Sequence, residues 1–317
     1  MSNLRELVVA RPGLVARDRR SPYIATAWFK KPSSGPGGVR SVRRVQVGED
    51  VALAVQDLGS GPPVVFVSGF GLDQSLWDRQ VRALSGGHRT VCVVQRGHGD
   101  SDAPLEGYEL DGLVDDLAAV LDHLVVGAAT VVGHSLGGLV AFGLAARRPD
   151  LVHALVLVSS NGVRASRSDD FPFGPPPEPT LDAVIADEEA DRAGARRRGL
   201  ACFGREPGTA TVDWLFGVSL RMPSWAAVGC YRTLLTTDQL ASIAGVGIPV
   251  LQIAGTADPV MSLKGARWLA GRLASARLVE LDGCGHFPML EAPAEFDAAL
   301  TAFLADHPPI VERAVPE

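Results

Sequence analysis

The chain lacks the features that would place it in several large functional classes. It has four cysteines in 317 residues, with no C-x-x-C pair and no Cys/His spacing of a metal site. Cys92, Cys202, Cys230 and Cys284 are therefore expected to be free thiols of a reducing, cytoplasmic setting. Only three of the 30 basic residues are lysines, and the formal net charge is −6. That balance leaves no footprint for nucleic acid. No apolar run approaches the roughly 18 residues of a membrane span, so no membrane partner is expected. Arginine and glutamate are scattered through the first twenty residues, so no signal-peptide core is expected there. No nucleotide or metal motif is present. No cofactor and no metal is therefore expected.

What is present is an ordinary globular composition: 46% hydrophobic and 21% charged residues, with 35 glycines. Residues 1–40 carry four prolines and the linker-like Ser33–Gly38, yet also Tyr23, Trp28 and Phe29. They are expected to form an extension that packs on the body or on a second copy of the chain. From Val42 the pattern becomes regular. Val42–Val47 and Val51–Asp57 read as a hairpin. Val64–Val67, Thr90–Val94, Thr130–Val132, Ala154–Val158 and Pro249–Ile253 are short apolar runs of the kind buried on both faces of a parallel sheet. Arg277–Leu281 is the last strand. Helical patterns lie between them at Gln74–Leu84, Leu110–Val125, Leu136–Arg148, Ser262–Leu273 and Ala294–Ala305. About ninety residues between the sixth and seventh strands break this alternation, and a long insert of this kind is often an active-site lid. Thr180–Leu200 is expected as one charged helix with Glu188 and Arg192 paired on its exposed face. Arg196–Arg198 are read as solvated.

The chain is organised around Ala129–Ala146, where a β-branched run turns through Gly133-His134-Ser135-Leu136-Gly137 into a small-residue helix. A strand, a sharp turn and a helix with serine at the apex form a nucleophile elbow. The turn needs small residues two before and two after the serine, and Gly133 and Gly137 supply them. The Leu136 amide then stands at a helix N-terminus, where negative charge is favoured. A serine hydroxyl needs an adjacent base. His286, in Gly283–Pro288 after the last strand, is the candidate. Asp258, after the strand Pro249–Ile253, is the candidate orienting acid, with Asp282 as its rival.

On these motifs the chain resembles the α/β-hydrolase superfamily, near the small serine esterases and the cofactor-free haloperoxidase-like hydrolases. The resemblance covers about residues 42–306. It implies a mostly parallel eight-stranded sheet flanked by helices, with a helical lid after the sixth strand. The domains follow as a core at 41–160 and 246–309 and a lid at 161–245. It implies Ser135, Asp258 and His286 as a catalytic triad, with an oxyanion hole from the backbone N–H groups of Phe70 and Leu136. Two positions depart from the family pattern. Ser68 stands where a histidine usually braces the oxyanion loop, and Gln95 stands where an aspartate is usual.

Phe70, Trp214, Met222, Trp225, Val260 and Phe287 are expected to line an apolar substrate site. The expected partner is a small apolar acyl compound: an ester, lactone or thioester hydrolysed through an acyl-enzyme on Ser135. Two other readings use the same sequence. One is a natural-product tailoring enzyme that uses the triad for acyl transfer, C–C hydrolysis or acyloxy elimination. The other is a non-catalytic binding protein on a hydrolase frame. The extension or the lid offers a surface for a homodimer.

Overall fold

The protein is described by a computed structural model over residues 42–309. The extension expected at residues 1–40 lies outside these described residues. Eight strands form one sheet: β1 Arg43–Gln46, β2 Ala52–Leu58, β3 Pro63–Val67, β4 Arg89–Val93, β5 Ala129–His134, β6 Val152–Val158, β7 Val250–Gly255 and β8 Ala276–Leu281. Their order is β1-β2-β4-β3-β5-β6-β7-β8. Strand β2 is antiparallel to both neighbours, and every other pairing is parallel.

The apolar strands divide their side chains between two cores, as the two-residue period of a strand requires. Val65 and Val67 join one cluster with helices α2 (Leu110–His123), α3 (Leu136–Arg147) and α8 (Leu263–Ala270). Val64 and Phe66 face the other, with α1 (Asp78–Leu84), α9 (Pro288–Glu291) and α10 (Pro293–Asp306). A sheet sandwiched in this way must be apolar on both faces, which is why its strands read as unbroken hydrophobic runs. The expected helix at Gln74–Leu84 is a 3-10 turn, Gln74–Trp77, followed by α1.

Between β6 and β7 the chain forms α4 (Pro177–Ala190), α5 (Arg192–Gly199), α6 (Thr209–Ser219), α7 (Ser224–Thr236) and a 3-10 turn at Leu240–Gly245. Helix α7 and the residues leading into it pack through Met222, Ala226, Ala227 and Cys230 on Leu136 and Leu139 of α3, which seats the insert on the helix that follows Ser135. The single helix expected at Thr180–Leu200 is two. Asp191 leaves helical geometry at φ −153°, and its side chain caps the new helix through the Gly194 N–H at 3.0 Å. The break folds α5 back on α4. Glu188 is consequently buried rather than exposed, and so is Arg196. Glu188 lies 3.8 Å from Arg192 but 2.8 Å from Arg196. All four cysteines are buried and free. Among the described residues no helix is long and apolar enough to cross a membrane.

Candidate active site

In a parallel sheet, functional residues collect on the loops leaving the C-terminal ends of the strands. Four such loops carry this site. Gly69–Gly71 follows β3, Ser135 follows β5, Asp258 follows β7 and His286 follows β8. Ser135 adopts φ 53°, ψ −117°, a region that side chains with a Cβ seldom enter. The turn around it is closed to any bulk. A Cβ on Gly137 would lie 2.7 Å from the Ser68 carbonyl oxygen, and one on Gly133 would lie 2.7 Å from the Gly138 Cα. The strain is held by the Ser135 N–H bond to the Val158 carbonyl at 3.0 Å and by the Gly138 N–H bond back to Ser135 at 2.9 Å.

His286 and Asp258 meet, with Nδ1 2.9 Å from Oδ2, and both side chains are under a tenth exposed. The other Asp258 oxygen accepts the N–H groups of Val260 at 2.8 Å and Met261 at 3.1 Å. Burial alone would raise the Asp258 carboxyl. The neighbouring His286 and these hydrogen bonds outweigh burial and hold it below the usual carboxylate range. With Oδ2 accepting at Nδ1, that nitrogen carries a proton and Nε2 is left as the basic atom. Asp282 is exposed and turned away, its carboxylate accepting from the Thr256 hydroxyl at 3.2 Å.

The Phe70 and Leu136 N–H groups donate to no acceptor among the described residues. The buried Leu136 amide is rarely left so, and both amides stand on adjacent strand ends. The loop that carries Phe70 is braced despite the missing histidine. The Ser68 hydroxyl accepts from Trp77 Nε1 at 3.0 Å and donates to the Asp73 carbonyl at 2.8 Å. Gln95 Nε2 donates to the Ser68 carbonyl at 2.8 Å. The two departures from the family pattern thus act on one residue.

His134, beside Ser135, donates from Nε2 to the His286 carbonyl at 2.9 Å. Burial, with the nearby His286 adding to it, pushes His134 down to about 3, so it stays a neutral strut. His98 is also buried, bonded to the Arg96 carbonyl at 2.9 Å, and pushed down to about 4 chiefly by burial. Sequence reasoning missed Glu291. Its carboxylate accepts from Gly285 at 2.8 Å and Phe287 at 3.0 Å, on either side of His286. It also accepts from Gly204 and Arg205 of the insert, each at 2.8 Å. The available signal was a glutamate four residues after Phe287, at a helix start, able to reach back to that residue's amide.

Ser135, His286 and Asp258 open onto a cavity of about 580 Å³ shared by core and insert. Phe70, Val260 and Phe287 line it. Trp214, Met222 and Trp225 do not. Met222 faces α3, Trp225 donates to the Ala103 carbonyl at 3.2 Å on the surface, and Trp214 is 37% exposed. Much of its apolar wall is made by residues such as Val184, Leu200, Tyr231, Leu234 and Met261. Helix period alone does not say which face of a cap helix looks inward.

A family model described as the alpha/beta hydrolase family matches residues 64–299. A pimeloyl-(acyl-carrier protein) methyl ester esterase from Aromatoleum aromaticum is 35% identical over 243 residues, covering 73% of this chain and 94% of its own. One of the same name from Nitrosomonas europaea is 32% identical over 257 residues, covering 79% and 99%. The solved structure of an esterase from Exiguobacterium antarcticum aligns with TM-score 0.81 at 25% identity, over 84% of this chain and 100% of that one.

Proposed function

The chain belongs to the alpha/beta hydrolase family, and on that premise we propose that it hydrolyses an ester, lactone or thioester of a mostly apolar small molecule through an acyl-enzyme on Ser135. The observation that carries this reading is the strained Ser135 and the paired His286–Asp258 opening onto one cavity. In the first half-reaction His286 Nε2 takes the Ser135 proton as Oγ attacks the carbonyl carbon. Asp258 fixes the ring and stabilises the imidazolium. The Phe70 and Leu136 amides bind the oxyanion, and their lack of other acceptors supports that role. The imidazolium then protonates the leaving alcohol or thiol. In the second half-reaction water, deprotonated by His286, releases the acid.

The names of the relatives favour an ester over an amide or phosphate. The cavity favours an uncharged body. Its charged wall residues are paired within the protein, Arg196 with Glu188 and Arg198 with Asp187. Ser135→Ala should fold as the parent and lose at least about three orders of magnitude in kcat, because the triad acts as a unit. p-Nitrophenyl ester turnover and the mass of a fluorophosphonate adduct test it together. Adduct on another residue, or turnover surviving in Ser135→Ala, would sink the assignment.

A further inference from the structure

Two side chains of the insert, Arg196 and Tyr231, reach the Phe70 ring on the loop after β3. Arg196 is 1% exposed and Glu188 is 0% exposed. The guanidinium Nε and Nη2 each donate to a Glu188 oxygen at 2.8 Å, a two-pronged geometry that fixes the plane of the group. Nη1 donates to the Ser219 carbonyl at 2.7 Å, and the Ser224 hydroxyl donates to Glu188 at 2.9 Å. Four helices of the insert thus meet at this pair. With its hydrogen bonds taken inside the insert, Arg196 offers its face to the core. Its guanidinium carbon lies 5.2 Å from the centre of the Phe70 ring. The same ring is stacked on Tyr231 of α7, with 4.2 Å between centres and 25° between planes. Phe70 lines the cavity and its N–H donates to no acceptor among the described residues; it is flanked by Gly69 and by Gly71 at φ 72°. Glycine on both sides leaves the loop little stiffness of its own.

We infer that Arg196, fixed by Glu188, is a positioning residue that holds Phe70 and so sets the direction of the oxyanion-binding amide. The kinetic half of this rests on the proposed function. The mechanical half does not. An oxyanion donor must lie within a few tenths of an ångström of its place, and a displacement near 1 Å costs about 100-fold in rate. A hydrolase of this design therefore works at full rate only with its insert seated.

The test uses the full chain. Truncating one member would leave a buried lone charge, so the pair is replaced together by Glu188→Leu with Arg196→Met, of similar volume, which proteins commonly tolerate. Phe70→Leu, which keeps the amide and removes the ring, serves if the double variant fails to fold. Melting curves check folding. Hydrogen exchange of a peptide covering residues 68–73 reads the loop, and p-nitrophenyl butyrate reads the rate. The expected result is a parent-like melt, several-fold faster exchange confined to that peptide, and a kcat lower by about 10- to 100-fold at nearly constant KM. Unchanged exchange in a folded variant would overturn the inference, since the pair would then only knit the insert. Faster exchange with unchanged kcat would uphold the clamp and remove Phe70 from the oxyanion hole.

Discussion

Asp258 and Asp282 both lie near the loop that delivers His286, and only Asp258 touches the imidazole. Asp258→Asn presents an amide where a carboxylate must hold the ring, and should lower kcat by about four orders of magnitude. Asp282→Asn disturbs one exposed hydrogen bond and should change stability by less than about 0.5 kcal/mol, with kcat unaffected. Assaying both on one ester, with melts alongside, checks the pair; a dead Asp282→Asn enzyme would reassign the acid. At this scale the elbow and its partners were legible because each sits at a strand end in a fixed chain order. Glu291 and Arg196 were less so. Glu291 left only its four-residue spacing from Phe287, while its contact with Gly204 lies 87 residues away, and the contact of Arg196 with Phe70 crosses from insert to core.

Strands were the most legible elements, since a strand buried on both faces writes itself as an apolar run. Helices of the insert were less so. The continuous charged pattern around Asp191 gave no sign of a break, which in the structure is the non-helical Asp191 backbone together with its capping contact to Gly194. The elbow offers a test of element geometry. Gly137→Ala places a Cβ against the Val67 and Ser68 carbonyls of β3's end. Backbone cannot step aside cheaply, so the variant should lose roughly 3 kcal/mol of folding stability, read as a lower urea midpoint. At Gly217 of α6 a Cβ would meet nothing within 4 Å, so Gly217→Ala should stabilise by about 0.4–1 kcal/mol. If both alanines moved the midpoint the same way, close packing at the elbow would not be the determinant.

Across the whole molecule, stability should fall in mild acid, and the cause is two imidazoles. His98 and His134 are held neutral, near 4 and 3, against an ordinary value of about 6.5. Below about pH 6.5 the unfolded chain takes up these protons and the folded chain does not. Their contribution is therefore complete above that pH and falls by about 1.4 kcal/mol per pH unit for each group, until the folded values are reached. Asp258, held low in the fold, begins to lose its own contribution only below about pH 4. Urea midpoints at pH 7 and pH 5 measure the effect; identical midpoints would mean that the two histidines are charged in the fold.

The four buried thiols give the protein a pair of internal clocks. Two run with the insert, Cys202 and Cys230, and two with the core, Cys92 in β4 and Cys284 on the loop after β8. Burial raises Cys202 and Cys230 to about 12, Cys92 further still and Cys284 in the same direction, so none reacts with Ellman's reagent until water reaches it. If the insert lifts while the sheet stays folded, two equivalents should react early and two at the pace of global unfolding. If insert and sheet part only when everything unfolds, all four will appear in a single slow phase. The colour change of one cuvette would then report how often the entrance to the cavity stands open.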